Sequence, residues 1–280
     1  MNKNISKNIL IAVFVSLIAG CVKDANNIKL PETEAKLVVG CFISPQDSMI
    51  VVTLTRSNPI FGKNHNSSRA LNNVVDAEVT IFNGTNTINI PYNNGYLDYE
   101  IASSLFPITS GTTYQIKVST PQNEHLSASC TVPLSTVSSV DIEVDTLSRT
   151  KKVILKWQDI PNETNYYQAV GFLIISDTFN GDTTHTPMGW NYNHLANDQD
   201  RDGSQLHADL EYDFYGHYDS KIIGFGFYLM NTDVEYYKYQ KSINNYGGDN
   251  PFSEPTPVYS NIKGGLGIFC AFQKFYIRKS

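Results

Sequence analysis

The stretch that decides the fold reads GTTYQIKV and covers residues 111–118. Tyr114, Ile116 and Val118 alternate with polar side chains, and this period of two places them on one face of a β-strand. Comparable short runs, separated by turn residues, lie at 36–43, 49–55, 77–82, 85–90 and 127–132. Six or seven short strands across about 100 residues predict an immunoglobulin-like β-sandwich, which we assign to residues 36–133.

A second unit is predicted over residues 134–280. Its strand VILKW at 153–157 carries Trp157, and the turn DIPN at 159–162 leads to a tyrosine pair at 166–167. This arrangement resembles a fibronectin type III-like sandwich in which Trp157 is a core anchor. We therefore predict a mainly β protein with two consecutive β-sandwich units.

The second unit also holds a long insert and a helix. Residues 177–220 are polar and aromatic, and connections of this length usually carry function or additional strands. Thr232 and Glu235 have the spacing of a capping box, and aromatic and apolar residues then recur at helical intervals. We predict a helix near the C-terminus over residues 232–245, ended by the glycines at 247–248.

Composition and charge exclude several classes of protein. The chain has 280 residues, of which 12% are aromatic and 17% charged, with a formal net charge of −6. High aromatic and low charged content argue against disorder. No basic surplus is available to neutralise phosphates, so a nucleic-acid partner is not expected. No apolar run reaches the roughly 20 residues of a bilayer-spanning helix.

The N-terminus has the pattern of a bacterial lipoprotein signal peptide. A polar start with two lysines precedes an uncharged, mostly apolar run at 9–20, and LIAGC at 17–21 looks like a lipobox. We predict that residues 1–20 are removed and that Cys21 is lipidated. Several acyl chains would anchor the protein firmly to a membrane that it does not span.

The predicted mature chain is more acidic than the precursor. It has 260 residues with 19 basic and 27 acidic side chains, which gives a net charge of −8. Residues 21–35 are predicted to form the lipidated tether. Within it, Lys23-Asp24 resembles the surface-export signal of Bacteroidota lipoproteins, and a merely solvated tether is the alternative.

Three cysteines remain beyond Cys21, namely Cys41, Cys130 and Cys270. An odd number permits at most one internal disulfide, in any of three pairings. Each lies in an apolar or alternating segment, so we favour buried free thiols. No C-x-x-C pair supports a zinc or redox site.

An acidic motif in the insert predicts a calcium site. Residues 198–204 read DQDRDGS, and the ligand positions of a calcium loop would be Asp198, Asp200, Asp202, Ser204 and Asp209, with Gly203 for the sharp turn. Against this, Asp209 replaces the usual bidentate Glu and no helices flank the loop. The alternative is an acidic turn in a β-rich region.

The same insert holds four histidines and several aromatic residues. His185, His194, His207 and His217 allow the hypothesis of a His-Asp hydrolase, which no recognised catalytic motif supports. Trp190 and Tyr192 are candidates for a platform that binds a glycan or a peptide. The alternative for Trp190 is that it covers the edge of the sandwich.

The C-terminal run carries a family resemblance. It reads NPFSEP at 250–255, VYSNI at 258–262 and GGLGIF at 264–269. With the tyrosine pair at 236–237 and the strands beginning at 77 and 111, it resembles the domain-of-unknown-function family 4249 of Bacteroidota lipoproteins, from about residue 35 to 272. Cys270 departs from the small residue usual there, and the insert looks individual.

The resemblance implies an outer-membrane lipoprotein, typically encoded beside a SusC-type TonB-dependent receptor, and it brings no established catalytic residues. From the residues themselves, Gly264, Gly265 and Gly267 permit positive φ or close backbone approach. Leu266, Ile268 and Phe269 are expected to fill a core. A phosphate cradle would need a following helix, whereas residues 272–277 look like a strand.

These observations predict a non-enzymatic, outer-membrane lipoprotein that faces the cell surface and assists a TonB-dependent uptake system. It would bind a ligand or dock on a receptor barrel through its loops and the 177–220 insert. A calcium-stabilised structural or adhesive surface module is the first alternative. A hydrolase is the second.

Overall fold

The computed structural model describes residues 34–58, 72–145, 151–177, 181–188, 194–212, 220–245 and 257–280. Alternating runs of the kind seen at 111–118 become strands throughout. The first eight strands are β1 (Leu37–Ile43), β2 (Met49–Arg56), β3 (Glu78–Phe82), β4 (Thr87–Asn89), β5 (Tyr92–Asn93), β6 (Asp98–Ala102), β7 (Thr113–Ser119) and β8 (His125–Thr131). The remaining elements are β9 (Val140–Asp145), β10 (Lys151–Gln158), β11 (Tyr166–Asp177), β12 (Thr183–Pro187), β13 (His194–Asn197), β14 (Gln205–Tyr212), β15 (Ser220–Thr232), helix α1 (Val234–Asn244) and β16 (Leu266–Lys279).

The first sandwich packs a four-stranded sheet, in the order β4-β3-β7-β8, against β1, β2 and β6. Tyr114, Ile116 and Val118 on β7 are all at most 2% exposed, as their alternation predicts. From the facing sheet, Val39 and Val52 enter the same core. Burial of each such aliphatic side chain contributes roughly 1.5–3 kcal/mol.

The second sandwich packs the three-stranded sheet β14-β10-β9 against β11 and β15. Trp157 on β10 is 2% exposed and meets the Tyr167 ring edge-on at a centroid distance of 5.4 Å. The prediction that Trp157 anchors this core is confirmed. The fold is mainly β and contains two sandwich units, as the sequence predicted.

Strand β16 joins the two sandwiches, which the sequence did not predict. Its first half pairs in parallel with β1 and its second half pairs antiparallel with β15, so one nine-stranded sheet runs through both units. Ile262, Phe269 and Ala271 belong to the first core, whereas Ile277 packs on the second. Assigning the whole of 134–280 to the second sandwich is therefore wrong for this segment. The described residues from Ala35 onward belong to one compact unit.

A glycine at the start of β16 allows the close approach of this strand to β1. Gly267 has φ +109°, and a Cβ built there would lie 1.9 Å from the Val39 carbonyl oxygen. Ile268 and Phe269 are buried as expected, but Leu266 is 39% exposed, so its predicted core position is wrong. Leu266 is the first residue of β16 and therefore lies at the end of the strand.

The insert 177–220 supplies strands to the sandwich instead of standing apart from it. Strands β12 and β13 pair with β11 in the long sheet, and β14 pairs with β10 along its whole length. Leu206, Ala208 and Leu210 of β14 enter the second core. The length of this connection is thus explained in part by additional strands.

The N-cap of helix α1 lies one residue later than predicted. Thr232 ends β15, and Asp233 is the N-cap, with its carboxylate accepting from the Tyr236 N–H at 2.8 Å and the Ala271 N–H at 3.2 Å. The predicted Thr232–Glu235 capping box is therefore wrong. The helix covers part of the outer face of the long sheet, where the Tyr236 ring lies 5.9 Å from that of Phe42.

The prediction of buried free thiols is confirmed for Cys41, Cys130 and Cys270. Burial raises the pKa of each thiol, which keeps all three protonated and unreactive. No helix among the described ranges is long and apolar enough to cross a bilayer.

Candidate metal centre

Asp159 follows directly after β10 and is almost fully buried, at 1% exposure. Its carboxylate accepts hydrogen bonds from the Tyr167 hydroxyl at 2.7 Å and from the Gly203 N–H at 2.8 Å. Its own N–H donates to the Ser204 carbonyl at 3.0 Å. Burial and the bond to Asp159 raise the pKa of Tyr167, so the phenol remains the donor.

Asp198 and Asp202 lie in the turn between β13 and β14. Asp198 is 5% exposed, and its Oδ2 accepts from the Asn165 N–H at 2.8 Å. Asp202 is exposed, and its Oδ1 accepts from the Asn162 N–H at 2.9 Å. These bonds join the turn 198–204 to the turn that follows Asp159.

The three carboxylates form a group that can hold a metal ion. One oxygen from each of Asp159, Asp198 and Asp202 lies within 4.8 Å of the others. Within the described ranges, the ion pairs of Lys and Arg involve other carboxylates. Arg201 instead donates to the Asn197 carbonyl at 3.3 Å. A depression of about 460 Å³ opens beside Asp198 and Asp202.

Both turns lie at the same end of the second sandwich. The turn 159–165 leads from β10, in the three-stranded sheet, to β11, in the long sheet. The turn 198–204 leads from β13, which pairs with β11, to β14, which pairs with β10. The carboxylate group therefore lies where the chain crosses twice between the two sheets.

The structure brings together only part of the predicted calcium set. Asp198 and Asp202 meet, but Asp200 is exposed with φ +62° and lies outside the group. Ser204 contributes backbone hydrogen bonds to the turn. The prediction of Asp209 as a ligand is wrong, because Asp209 lies on β14 with its carboxylate 3.0 Å from the Lys152 ammonium.

Asp159 is the member of the group that sequence reasoning missed. Its only sequence signal is an acidic residue placed directly after the buried strand that carries Trp157. The pairing of β10 with β14 brings Asp159 to the turn 198–204, and no local sequence pattern predicts that pairing.

The described histidines of the insert lie on three different strands. His185 on β12 is exposed, with its ring tilted against that of Phe172 at a centroid distance of 4.8 Å, and His207 on β14 is also exposed. Burial lowers the pKa of His194 on β13, so its imidazole is neutral near pH 7. His217 lies outside the described residues. The hydrolase hypothesis stays untested.

An aromatic surface lies on the same face of the long sheet as helix α1, with Tyr276 49% exposed and Phe172 and Tyr228 half-buried. Phe172 lies across Gly226, where a Cβ would meet its ring at 2.3 Å, and the rings of Tyr228 and Tyr276 adjoin it at 5.9 and 6.4 Å. Trp190 and Tyr192, the predicted ligand platform, lie outside the described residues, as does the predicted lipidation site Cys21.

The chain is thus a mainly β protein with two sandwiches joined through one sheet, and it carries an acidic group at one end of the second sandwich. The chain belongs to the family described as Domain of unknown function (DUF4249), whose family model matches residues 24–278. The family resemblance carried by the C-terminal run is thereby confirmed. Among curated proteins, none matches the chain significantly.

One solved structure with detectable similarity is a segment of two fibronectin type III domains from chicken tenascin. It covers 72% of this chain and 91% of its own length, at 12% identity and a TM-score of 0.20. So low a score carries no argument about this chain. The fold described above rests on its own sheets and cores.

Proposed function

We propose that this chain is a lipoprotein of the bacterial outer membrane, anchored through Cys21 and facing the cell surface. The proposal rests on the uncharged run of 12 residues at 9–20, which ends in LIAGC at 17–21, since a run this short suits a signal peptide and not a membrane span. Residues 22–36 separate this anchor from strand β1, which supports a tethered body.

The proposed role is that of a non-enzymatic accessory or ligand-binding component of a TonB-dependent uptake system. The family resemblance supports this role. The aromatic surface of Phe172, Tyr228 and Tyr276 supports a ligand with apolar faces, such as a glycan or a peptide, because the exposed Tyr276 ring and the half-buried rings beside it can stack on such faces.

Replacing the anchor residue tests the first part of the proposal. We expect Cys21→Ser to abolish incorporation of labelled palmitate and to move the chain from the membrane to the soluble fraction. The double variant Lys23→Ala/Asp24→Ala is the matched control, since it should keep the lipid and lose only surface accessibility to protease on intact cells. Labelled palmitate on the Cys21→Ser chain would contradict the proposal.

Extraction of the native membrane in mild detergent tests the second part. A β-barrel receptor should copurify with the anchored chain and be absent from a control extraction with the Cys21→Ser variant. Recovery of the chain alone, under conditions that preserve other receptor complexes, would contradict a receptor-associated role.

A calcium-stabilised structural or adhesive surface module is the second candidate. The group of Asp159, Asp198 and Asp202 favours it. The two candidates differ in a simple observation, because an adhesive module should bind a surface without any barrel partner.

A further inference from the structure

We infer that Asp159, Asp198 and Asp202 bind a calcium ion that clamps the two sheets of the second sandwich at one end. This site differs from the calcium loop predicted from sequence, since it draws ligands from two separate turns. It does not depend on the proposed uptake function. The inference rests on charge burial, on an unpartnered amide oxygen and on the position of the two turns.

The buried carboxylates of the group form no ion pair with a described Lys or Arg side chain. Asp159 and Asp198 are 1% and 5% exposed, and their oxygens lie within 4.8 Å of one another and of Asp202. Burying carboxylates is costly unless a cation or a proton compensates their charge. In the described part of the chain no Lys or Arg side chain forms an ion pair with them. A bound divalent cation would supply the missing positive charge.

Asn165, next to the group, has a buried side-chain oxygen without a partner. Its side chain is 3% exposed, and its Oδ1 is buried without any hydrogen-bond partner. The N–H of the same residue donates to Asp198 Oδ2 at 2.8 Å, so this unpaired oxygen belongs to a residue that contacts the carboxylate group directly. Buried acceptors are rarely left unpaired in proteins. A buried, unpaired amide oxygen on a residue that contacts Asp198 offers a hard cation a further oxygen ligand.

The donor set selects calcium. All the available ligands are oxygen atoms, which disfavours zinc and other metals that prefer nitrogen or sulfur. The ligands come from two turns and leave an open side toward the depression, which suits the irregular, partly hydrated coordination of calcium better than the strict octahedron of magnesium. Hydrogen bonds from Tyr167, Gly203 and Asn162 would orient the carboxylates.

The position of the site indicates its effect. The turns 159–165 and 198–204 each cross between the two sheets at the same end of the sandwich. An ion shared by both turns would therefore resist separation of the sheets there. Because the ion binds the folded state only, calcium should stabilise the whole chain by linkage.

Calorimetric titration of the full chain in detergent, after treatment with chelator, measures the binding directly. We expect one site per chain with a Kd of about 0.1–1 mM, the range of extracellular calcium modules. Addition of 10 mM CaCl₂ should raise Tm by about 5 °C over the value in chelator. The same concentration of MgCl₂ should give a clearly smaller rise.

A matched pair of variants separates a built site from general negative charge. Asp202→Asn removes a ligand charge but keeps an oxygen to accept from Asn162, and it should weaken calcium binding about 10-fold or more. Asp200→Asn removes the same charge from the same turn outside the group and should leave Kd within about twofold.

Two results would overturn the inference. One is the absence of any heat of binding and of any Tm shift in 10 mM CaCl₂. The other is equal weakening by Asp200→Asn and Asp202→Asn, which would mean diffuse attraction to an acidic turn. Since Asp202 is exposed, its replacement should leave the chain folded, which its Tm in chelator verifies.

Discussion

At the scale of single residues, two glycines with similar backbone angles have different roles. Gly84 has φ +94°, and a Cβ there would meet nothing within 4 Å, whereas at Gly267, with φ +109°, a Cβ would lie 1.9 Å from the Val39 carbonyl oxygen. The first position needs glycine for its angle alone. The second also needs it because β16 approaches β1 closely.

We predict that Gly84→Ala lowers the free energy of unfolding by about 1–2 kcal/mol, the strain of a left-handed residue with a side chain. Gly267→Ala should lower it by about 4 kcal/mol or more, because the parallel pairing of β1 with β16 must shift as well. Urea unfolding of both variants measures the difference. Equal losses would show that contact with Val39 is unimportant.

At the scale of elements, helix α1 is attached to the sheet through a carboxylate with a shifted pKa. Burial is the main cause that raises the pKa of Asp233 to about 7, against the partial opposition of its backbone hydrogen bonds. An unfolded Asp has a pKa near 3.9. The folded chain therefore binds a proton more tightly, and its stability decreases as pH rises from about 4 through 7.

Asp233→Asn should remove this dependence, because the amide still caps the helix and cannot ionise. Relative to the wild type, the free energy of unfolding of the variant should rise by about 2 kcal/mol between pH 4 and pH 8. This value is discounted for the solvent that reaches the side chain. Denaturant unfolding across that range measures it. Asp141→Asn, at an exposed site, is the control, and a gain independent of pH would contradict the assignment.

At the scale of the whole molecule, the shared strand couples the two sandwiches. Strand β16 supplies Phe269 to the first core and Ile277 to the margin of the second. At the junction, Gln273 is 4% exposed, and its Nε2 donates to the Pro133 carbonyl at 2.5 Å. One core cannot be lost without exposing the strand that completes the other.

We predict that Ile116→Ala, a change in the first core, destabilises the second sandwich as well. The loss should be about 2–5 kcal/mol, and the transition followed by Trp157 fluorescence should move with it. A Trp190→Phe background leaves Trp157 as the only tryptophan. Val75→Ala, at a position 52% exposed, should leave the free energy of unfolding within about 0.5 kcal/mol of the wild-type value. An unmoved Trp157 transition in Ile116→Ala would mean independent units.

Much of the fold was predictable from local pattern. Alternation at 111–118 predicts a strand and its buried face, and the buried Trp157 follows from its place in an apolar strand. Of the candidate site, Asp198 and Asp202 were predictable because their spacing lies within one turn. The N-cap of α1 was missed by one residue, since Thr232 and Asp233 are both good caps and the end of β15 decides between them.

The sequence by itself determined which residues form strands, which faces of those strands are apolar and where the acidic turn lies. Tertiary structure alone decided that β16 pairs with β1, which sets Cys41 opposite Phe269, and that Asp159 meets Asp198. The physical reason is that periodicity encodes the buried face of a strand but not its partner. Partners are selected only when all the apolar faces of the chain are buried together.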